Sequence, residues 1–403
     1  MNPCPEGFDL LFEGLTRICV PRLELYMRND NVYEPSWAPV FYNPHMIENR
    51  DIAIGVVRYI TRKLGLGRDI VIVDPLAATG VRGIRFYLEA DRINSLKVFM
   101  GDISEYAVNV MKINARLNRV EELINIERID ANEYLYKLQR TKTKIDYVDI
   151  DPFGSPIPFL FSSISTVNNG GIVAITATDL AVLTGKYAGK LHRRYGVIGT
   201  SVPISKDIAI RALLSYIARI SYSLDRYIKP VLSYTYKHYI RTYIVVYNGA
   251  SKADHQLKEC LGSLKVCTYC GYRQINKLGN DIHTDGTKCP LCRTSLVTWS
   301  PLWICSTIDK NIIDDILRDL NEVVWIQKSS KKLLQELHSY AAIDTITVRL
   351  PQIARYLRIN VPSRNRVIEC LERLGYRAVK SYSYPDGIVT NATITDIITC
   401  CRA

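Results

Sequence analysis

The fold follows from one stretch near the start of the chain, Ile70-Val71-Ile72-Val73-Asp74-Pro75-Leu76-Ala77-Ala78-Thr79-Gly80-Val81-Arg82-Gly83. Its first four residues are apolar and β-branched, which indicates a buried parallel strand. The rest is a turn of small residues that opens a helix. Ligands of open α/β sheets bind at the carboxyl ends of the strands, so this turn is predicted to face a ligand, with an ordinary tight turn as the alternative.

Further apolar runs follow this stretch, and helix-like stretches separate them. The predicted strands cover residues 97–100, 124–126, 145–148 and 172–175, and the predicted helices cover residues 81–90, 105–117, 131–138 and 157–166. Regular alternation of this kind predicts a doubly wound α/β sheet. With the long helix and the Tyr- and Val-rich hairpin that follow, it defines a predicted Rossmann-like domain over residues 1–250.

The predicted turn holds only two glycines, Gly80 and Gly83. It therefore lacks the three-glycine dinucleotide fingerprint, and the loop of a class I methyltransferase fits it better. Asp102 ends the second strand, where a carboxylate accepts hydrogen bonds from ribose hydroxyls. Asp130 ends the third strand and is placed to accept from an adenine amino group, or to cap a helix. These positions indicate S-adenosylmethionine as the cofactor.

The fourth strand ends in Asp149-Ile150-Asp151-Pro152-Phe153-Gly154-Ser155-Pro156. Methyl transfer to an exocyclic amine requires oxygen acceptors for the protons of the amine. The carboxylate of Asp151 and the carbonyl of Pro152 are predicted to supply them, and Phe153 offers a face on which an extruded base can stack. The alternative is that these residues only form a turn.

An aromatic run precedes the sheet, Val40-Phe41-Tyr42-Asn43-Pro44, and Asn49-Arg50-Asp51 follows it closely. The run is interpreted as a lid in which Phe41 covers the second face of the base, although ordinary packing of Phe41 is the alternative. Arg50 carries a guanidinium fork that suits the carboxylate of the cofactor.

The chain carries 52 basic and 40 acidic residues among its 403, a net charge of +12. Such a surplus favours a polyanionic partner such as nucleic acid, with solubility alone as the alternative. Residues 328–403 contain twelve Lys and Arg against six Asp and Glu, which suits contact with nucleic-acid phosphates. Arg364, Arg366 and the stretch 185–194 are candidates for such contacts, with a solvated basic face as the alternative for each. No signal peptide, membrane span or obligate protein partner is indicated, and a cytoplasmic location is expected.

Four of the eleven cysteines form two Cys-x-x-Cys pairs, Cys267 with Cys270 and Cys289 with Cys292. This spacing predicts a zinc ribbon with a closed structural site, within a segment spanning residues 251–305. His283 is expected to be exposed and not a ligand. The other cysteines are scattered singly, which favours metal binding in a reducing compartment over a disulfide framework. Cys260 and Cys305, which flank the quartet, are expected to pack.

The last part of the chain, residues 306–403, is predicted to form a winged-helix-like α+β domain that binds nucleic acid. Its pattern is a helix over 350–357, a helix over 364–374, and a hairpin formed by 377–384 and 388–390 around Pro385-Asp386-Gly387.

Several of these runs together resemble the family of tRNA (guanine-26, N2)-dimethyltransferases of archaea and eukaryotes. The similar stretches are 40–44, 49–51, 78–86, 101–104, 130–132, 149–156 and 176–179, and the run Asp-Pro-Phe-Gly-Ser-Pro is highly specific. The resemblance implies transfer of one or two methyl groups from S-adenosylmethionine to N2 of guanosine 26 in tRNA. It also implies cofactor contacts, which would come from Arg50, Arg82, Asp102, Asp130 and Ala131.

The resemblance further implies that Asp151 is the catalytic carboxylate and that Phe41 and Phe153 enclose the guanine. Two departures stand out. Gly101 takes the place where the family pattern has asparagine, and the residues after Asp179 are more apolar than expected. Two other interpretations remain: an amino-group methyltransferase of another RNA position or of DNA, and a non-catalytic RNA-binding protein on a relic methyltransferase fold.

Overall fold

The structure is a computed structural model that describes residues 3–64, 68–90, 96–278 and 288–402. The first half of the chain contains β1 (Phe8–Glu13), β2 (Thr16–Pro21), α1 (Ile47–Leu64), β3 (Ile70–Asp74), α2 (Val81–Glu89), β4 (Leu96–Asp102), α3 (Glu105–Leu117), β5 (Ile124–Arg128), α4 (Ala131–Arg140), β6 (Ile145–Ile150), α5 (Ile157–Thr166) and β7 (Val167–Ala177). The second half contains α6 (Leu180–Leu183), α7 (Ala188–Tyr195), α8 (Ser205–Tyr222), β8 (Arg226–Tyr236), β9 (Tyr239–Asn248), α9 (Ala250–Cys260), β10 (Leu261–Val266), β11 (Arg273–Lys277), β12 (Val297–Trp303), α10 (Lys310–Glu322), α11 (Lys328–Ala341), β13 (Val348–Arg349), α12 (Leu350–Leu357), α13 (Arg364–Arg373), β14 (Ala378–Lys380), β15 (Gly387–Thr390) and α14 (Ile394–Arg402).

The chain folds into two compact units. The first unit comprises Met1–Pro152, Pro158–Ile175 and Asp314–Leu334, and the second comprises Phe153–Ile157, Thr176–Ile313 and Gln335–Ala403. The division of the chain into parts at residues 250 and 305 stays a prediction.

Five parallel strands of the central sheet belong to the first unit, in the order β5-β4-β3-β6-β7. Every side chain of β3 and β6 is buried, including those of Asp146 and Asp149 in β6, as is typical of the inner strands of a parallel sheet. From β3 to β5 successive strands are added towards one edge of the sheet, whereas β6 and β7 are added towards the other edge. The loops after β3 and β6 therefore flank the topological switch point of the sheet. The predicted α/β fold is confirmed.

A hairpin and a long helix precede the sheet in this unit. Strands β1 and β2 pair in antiparallel register, with Phe8 opposite Pro21 and Glu13 opposite Thr16. Phe8 and Cys19 of the hairpin pack with Ala107 and Val110 of α3. The sequence patterns described above predicted neither the hairpin nor α1, which begins shortly after the run interpreted as a lid.

The second unit contains the antiparallel hairpin of β8 and β9, the buried helix α8, and two small sheets. One small sheet has the order β11-β10-β12 and carries the cysteine pairs at its ends. The other has the order β13-β15-β14 and packs with α12, α13 and α14 around an apolar core that includes Leu350, Ile353, Leu371 and Ile388. Helix, turn, helix and hairpin therefore follow the predicted winged-helix order.

Six of the seven cysteines outside the quartet form disulfides: Cys4 with Cys19, Cys260 with Cys305, and Cys370 with Cys400. The expectation of unpaired cysteines was wrong, and Cys260 and Cys305 are bonded to each other and not merely packed. The partners are 15, 45 and 30 residues apart, so only the tertiary fold brings them together. Cys401 is buried and free.

His283 lies outside the described residues. Among the helices of the described ranges, none is long and apolar enough to span a membrane.

Candidate functional site

The loop between β3 and α2 is a tight turn with unusual backbone angles. Its Gly80 amide donates to the Ala77 carbonyl at 2.7 Å, and both Ala78 (φ 49°) and Gly80 (φ 76°) are left-handed. A Cβ on Gly80 would lie 2.8 Å from Cγ of Met111. Glycine is therefore required there by conformation and by space.

Asp102, the last residue of the neighbouring strand β4, holds this loop by a hydrogen bond. Its Oδ2 accepts from the Ala78 amide at 3.1 Å, and its Oδ1 accepts from the Ser104 amide at 2.9 Å. Each carboxylate oxygen can accept a further hydrogen bond, so the side chain is oriented and still able to bind a hydroxyl.

The residue before it, Gly101, explains one departure from the family pattern. A Cβ at this position would lie 2.8 Å from Cδ1 of Tyr134, whose ring is buried. Tyr134 of α4 also packs edge-on against Phe99 of β4 at 6.5 Å. In this chain the tyrosine ring occupies the space that an asparagine side chain at position 101 would need.

Asp130 caps helix α4. Its Oδ1 accepts from the amides of Asn132 at 2.9 Å and Glu133 at 3.2 Å, so the capping interpretation is correct. Asp130 is exposed, and both of these bonds end on the same oxygen. Ala131, the first residue of α4, is only 3% exposed. The capping role leaves Oδ2 available for a second partner, as the sequence interpretation allowed.

Arg82 brings three polar groups together at the end of β6. Its Nη2 donates to Oδ2 of Asp151, its Nη1 donates to Oδ1 of Asn49 at 2.9 Å, and its Nε lies 3.5 Å from Oδ1 of Asp149. Asp149 is fully buried and also accepts from the Tyr147 hydroxyl at 2.7 Å, whereas the side chain of Asp151 is 17% exposed. Asp149 therefore anchors the guanidinium, and Asp151 is the accessible carboxylate of the pair.

Arg50 is buried on α1 and its fork binds a protein carboxylate. Nε and Nη2 donate to the two oxygens of Glu13 at 2.6 Å each, and Nη2 also donates to the Asn43 carbonyl at 3.2 Å. Tyr42 donates to Glu13 at 3.0 Å. Burial alone would raise the pKa of Glu13, but Arg50 and Arg85 outweigh burial and lower this pKa to about 2. The contact predicted between Arg50 and a cofactor carboxylate stays a prediction.

Glu13 belongs to a larger buried network that sequence reasoning missed. Arg85 is fully buried and binds Glu13, Asp51 and Glu89 at 2.7 to 2.9 Å. The network continues into the later segment of the same unit, whose contacts are Trp325 Nε1 to Glu89 (3.0 Å), the Gln327 amide to Asp51 (3.1 Å) and Ser330 Oγ to Asp51 (2.7 Å). Its partners are up to 279 residues apart, so no local pattern signals them.

The two candidate aromatic residues differ in exposure. Phe41 is half-buried in the extended segment that precedes Asn43, whereas Phe153 is 65% exposed. The turn after Phe153 is held by hydrogen bonds with Thr178, which directly follows β7. The Gly154 amide donates to Thr178 Oγ1 at 2.8 Å, and the Thr178 amide donates to the Gly154 carbonyl at 2.9 Å. Phe153 therefore stands exposed on a well-held turn.

A chain of side-chain contacts supports the same turn and was not predicted. Ser155 Oγ lies 2.8 Å from the Tyr195 hydroxyl, which donates to Asp179 at 2.9 and 3.0 Å. Burial raises the pKa of Asp179, although Tyr195 and Arg194 act in the opposite direction. The apolar residues after Asp179 form the short helix α6, in which Val182 and Leu183 are buried. Their apolar character serves packing.

The four cysteines of the quartet converge in the second unit. All four sulfur atoms lie within 4.8 Å of one another, with Cys267 to Cys292 and Cys270 to Cys289 both at 3.4 Å. These distances exceed a disulfide bond and approach the separation of roughly 3.8 Å expected between thiolates on one tetrahedral zinc ion. The donor set and its spacing therefore fit a structural zinc.

Helix α12 supports the first knuckle of this cluster. Gln352 Nε2 donates to the Thr268 carbonyl at 3.1 Å, and Arg355 Nη2 donates to the carbonyls of Thr268 at 2.6 Å and Tyr269 at 2.9 Å. The Arg355 guanidinium also lies 4.8 Å from the centre of the Tyr269 ring. Because these contacts reach the backbone between Cys267 and Cys270, α12 fixes the geometry of the ligand pair.

Comparison with known proteins agrees with this geometry. The model of the family described as N2,N2-dimethylguanosine tRNA methyltransferase matches residues 21–402. A tRNA (guanine(26)-N(2))-dimethyltransferase of Aeropyrum pernix is 35% identical over 404 residues, which cover 98% of this chain and 97% of that protein. One from Sulfolobus acidocaldarius is 33% identical over 394 residues, covering 97% of each chain.

A solved structure extends the similarity to three dimensions. The structure of Trm1 from Pyrococcus horikoshii in complex with S-adenosyl-L-methionine superposes with a TM-score of 0.82 and 27% sequence identity. The match covers 97% of this chain and 99% of the other. With a family model that spans nearly the whole chain and relatives above 30% identity, the chain belongs to the N2,N2-dimethylguanosine tRNA methyltransferase family.

Proposed function

We propose that this protein transfers one or two methyl groups from S-adenosylmethionine to the exocyclic N2 of guanosine 26 in tRNA. The observation that carries the proposal is the placement of Asp151: it directly follows β6, is partly accessible, and is oriented by Arg82. Family membership supports the same reaction.

The loop after β3 and the carboxylates of the next two strands suit the cofactor. The tight left-handed turn at Ala78 and Gly80 lies at the carboxyl end of β3, where ligands of open α/β sheets bind. Asp102 can accept from ribose hydroxyls, and Asp130 can accept from an adenine amino group through Oδ2. Ala131 closes the adenine side as an apolar surface, while Arg50 and Arg82 are the proposed partners of the amino-acid end. The bound cofactor supplies an electrophilic methyl group on a sulfonium.

Asp151 is the proposed catalytic carboxylate. The lone pair of the exocyclic nitrogen is delocalised into the guanine ring, and it becomes nucleophilic when an acceptor binds the amino protons. Asp151 accepts such a hydrogen bond and takes the proton that transfer releases. The Pro152 carbonyl offers a second acceptor, and Phe41 and Phe153 are the proposed stacking faces for the extruded base.

The four cysteines are proposed to hold one zinc ion that stabilises the ribbon and takes no part in methyl transfer. A four-thiolate site is closed, with no open position for a substrate. The basic tail over 328–403 is proposed to bind tRNA phosphates, and a cytoplasmic location follows from the proposed tRNA substrate.

The experiment is nucleoside analysis by mass spectrometry of an unmodified tRNA transcript after incubation with the protein and S-adenosylmethionine. The expected products are N2-methylguanosine and N2,N2-dimethylguanosine. The variant Asp151→Ala is expected to lower the rate by roughly 10²- to 10⁴-fold. Asp254→Ala, an exposed residue of α9, is the control and is expected to retain activity. Full activity of Asp151→Ala, with an unchanged circular dichroism melt, would refute the assignment.

A transcript in which adenosine replaces guanosine 26 identifies the target. Methylation is expected to disappear, and methylation that persists would place the target at another RNA position. A double-stranded DNA of matched length tests the DNA alternative. Calorimetry tests the non-catalytic alternative, because an RNA-binding protein on a relic fold would bind tRNA but not S-adenosylmethionine.

A further inference from the structure

A strongly basic surface surrounds helix α7, in a stretch of the sequence separate from the basic tail. Residues 180–206 contain no Asp or Glu, while they contain five basic residues: Lys186, Lys190, Arg193, Arg194 and Lys206. The first four lie within nine positions, and each is exposed. We call Lys186, Tyr187, Lys190, Arg193 and Arg194 the α7 surface.

The helix is firmly held while this surface stays open to solvent. Leu191 and Tyr195, four residues apart on one face, are fully buried. The Tyr195 carbonyl accepts from the Arg219 guanidinium. Lys190, Arg193 and Arg194 have the i, i+3 and i+4 spacing that places side chains on one face of a helix. The cations are thus displayed by a rigid element.

Most of the positive charge of this face is not neutralised by the protein. Arg194 lies 3.5 Å from Asp179, whereas Lys190 and Arg193 form no ion pair with any residue in the described ranges. Like charges at this spacing repel one another, so the arrangement is unfavourable until a polyanion binds.

An exposed aromatic residue and a pocket complete the surface. Tyr187 is 53% exposed, and Lys186 Nζ lies 6.0 Å from the centre of its ring. Tyr187, Ala188, Gly189 and Lys190 line an open pocket with a volume of about 450 Å³. A Cβ at Gly189 would meet nothing within 4 Å, so a ligand can approach the backbone there. An aromatic face beside cations is the combination that binds single-stranded nucleic acid.

The same helix contacts the turn that carries Phe153. The Tyr195 hydroxyl at its carboxyl end lies 2.8 Å from Ser155 Oγ, two residues after Phe153. The α7 surface is therefore close to a residue proposed to stack on the target base. We propose that the α7 surface binds the phosphate backbone of the tRNA substrate next to the target nucleotide, with Tyr187 stacking on a neighbouring base; this inference rests on the proposed function.

The test compares the wild-type protein with Lys190→Glu/Arg193→Glu in binding an unmodified tRNA transcript, by fluorescence anisotropy at several salt concentrations. Two lost phosphate contacts are expected to weaken binding and to reduce the slope of log affinity against log salt by about 2. Tyr187→Ala is expected to weaken binding roughly fivefold with the slope unchanged, because stacking releases no counterions.

The matched control is Lys258→Glu/Lys310→Glu, which makes the same charge change on α9 and α10 of the second unit. For this control, the slope of log affinity against log salt is expected to differ from the wild-type slope by less than about half of the change that Lys190→Glu/Arg193→Glu causes. Calorimetric affinity for S-adenosylmethionine and the melting temperature report whether each variant is folded.

The inference would be overturned if Lys190→Glu/Arg193→Glu bound tRNA with the same affinity and the same salt slope as the control. Wild-type protein that binds tRNA through this surface but forms no methylguanosine would instead count against the proposed function. The two failures are therefore distinguishable, since one is measured by binding and the other by product.

Discussion

Arg82 donates a hydrogen bond to Asp151, and this contact ties the first turn of α2 to the carboxyl end of β6. The guanidinium also binds Asn49 and lies beside the buried Asp149. The orientation of the proposed catalytic carboxylate is thus set by a residue at the start of the helix that follows the loop proposed to bind the cofactor. The proposed substrate and cofactor sites therefore share one cation.

Replacing Arg82 with methionine is expected to destabilise the protein by about 3 to 5 kcal/mol, because Asp149 would be left buried without its cation. Urea denaturation measures the change. Arg116→Met is the control, since its ion pair with Glu121 is exposed and its loss is expected to change the stability little. Similar losses in the two variants would contradict the importance of the buried pair.

Glu13 is expected to make stability depend on acid pH. Its pKa is about 2 in the folded protein against 4.5 when unperturbed. The stabilisation is therefore present above pH 4.5 and is lost as the pH falls towards 2, with a total of about 3 kcal/mol. Denaturation curves between pH 7 and pH 3 should show a smaller acid-induced loss for Glu13→Gln than for wild type. The exposed Glu105→Gln should behave as wild type, and an identical pH dependence in all three proteins would argue against this role.

One zinc ion per chain is expected by elemental analysis of the purified protein. Cys289→Ser should abolish it, because a serine hydroxyl is a poor zinc ligand at neutral pH. Cys401→Ser, which changes the one free cysteine outside the quartet, should retain full zinc content. Retention of zinc by both variants would show that the metal binds elsewhere.

Tyr195→Phe is expected to lower kcat several-fold while leaving KM for tRNA and S-adenosylmethionine nearly unchanged. The variant loses the hydroxyl that joins Ser155 to Asp179, so the turn of Phe153 is less well positioned. Tyr216→Phe on α8 removes a hydroxyl from the ring packed against Tyr195 and is the control. A change confined to KM would assign Tyr195 to binding instead.

The sequence predicted the elements whose pattern is local. The helices over 105–117, 157–166 and 350–357 have the predicted bounds, since apolar periodicity and a clear first or last residue define each of them. The structure also brings together Arg82 and Asp151, which only the family resemblance linked.

The features that sequence analysis missed depend on distant residues. Glu13 lies in a short strand, and the residues around it give no indication of its role, because its partners Arg50 and Arg85 are 37 and 72 residues away. Helix α1 was overlooked because Asn49, Arg50 and Asp51 are polar, yet all three are buried and bonded within the protein. The three disulfides were missed for the same reason.

The disulfide between Cys260 and Cys305 joins the end of α9 to the residue following Ile304, after β12, so the ribbon is part of a covalently closed ring. A protease that cuts once between residues 261 and 304 would therefore release no fragment. The nicked chain would migrate as a single band on a denaturing gel and would separate into two only after reduction. The zinc ion proposed for the four cysteines and the disulfide would thus secure the ribbon independently, one by holding its knuckles and the other by tethering both of its ends to the same point.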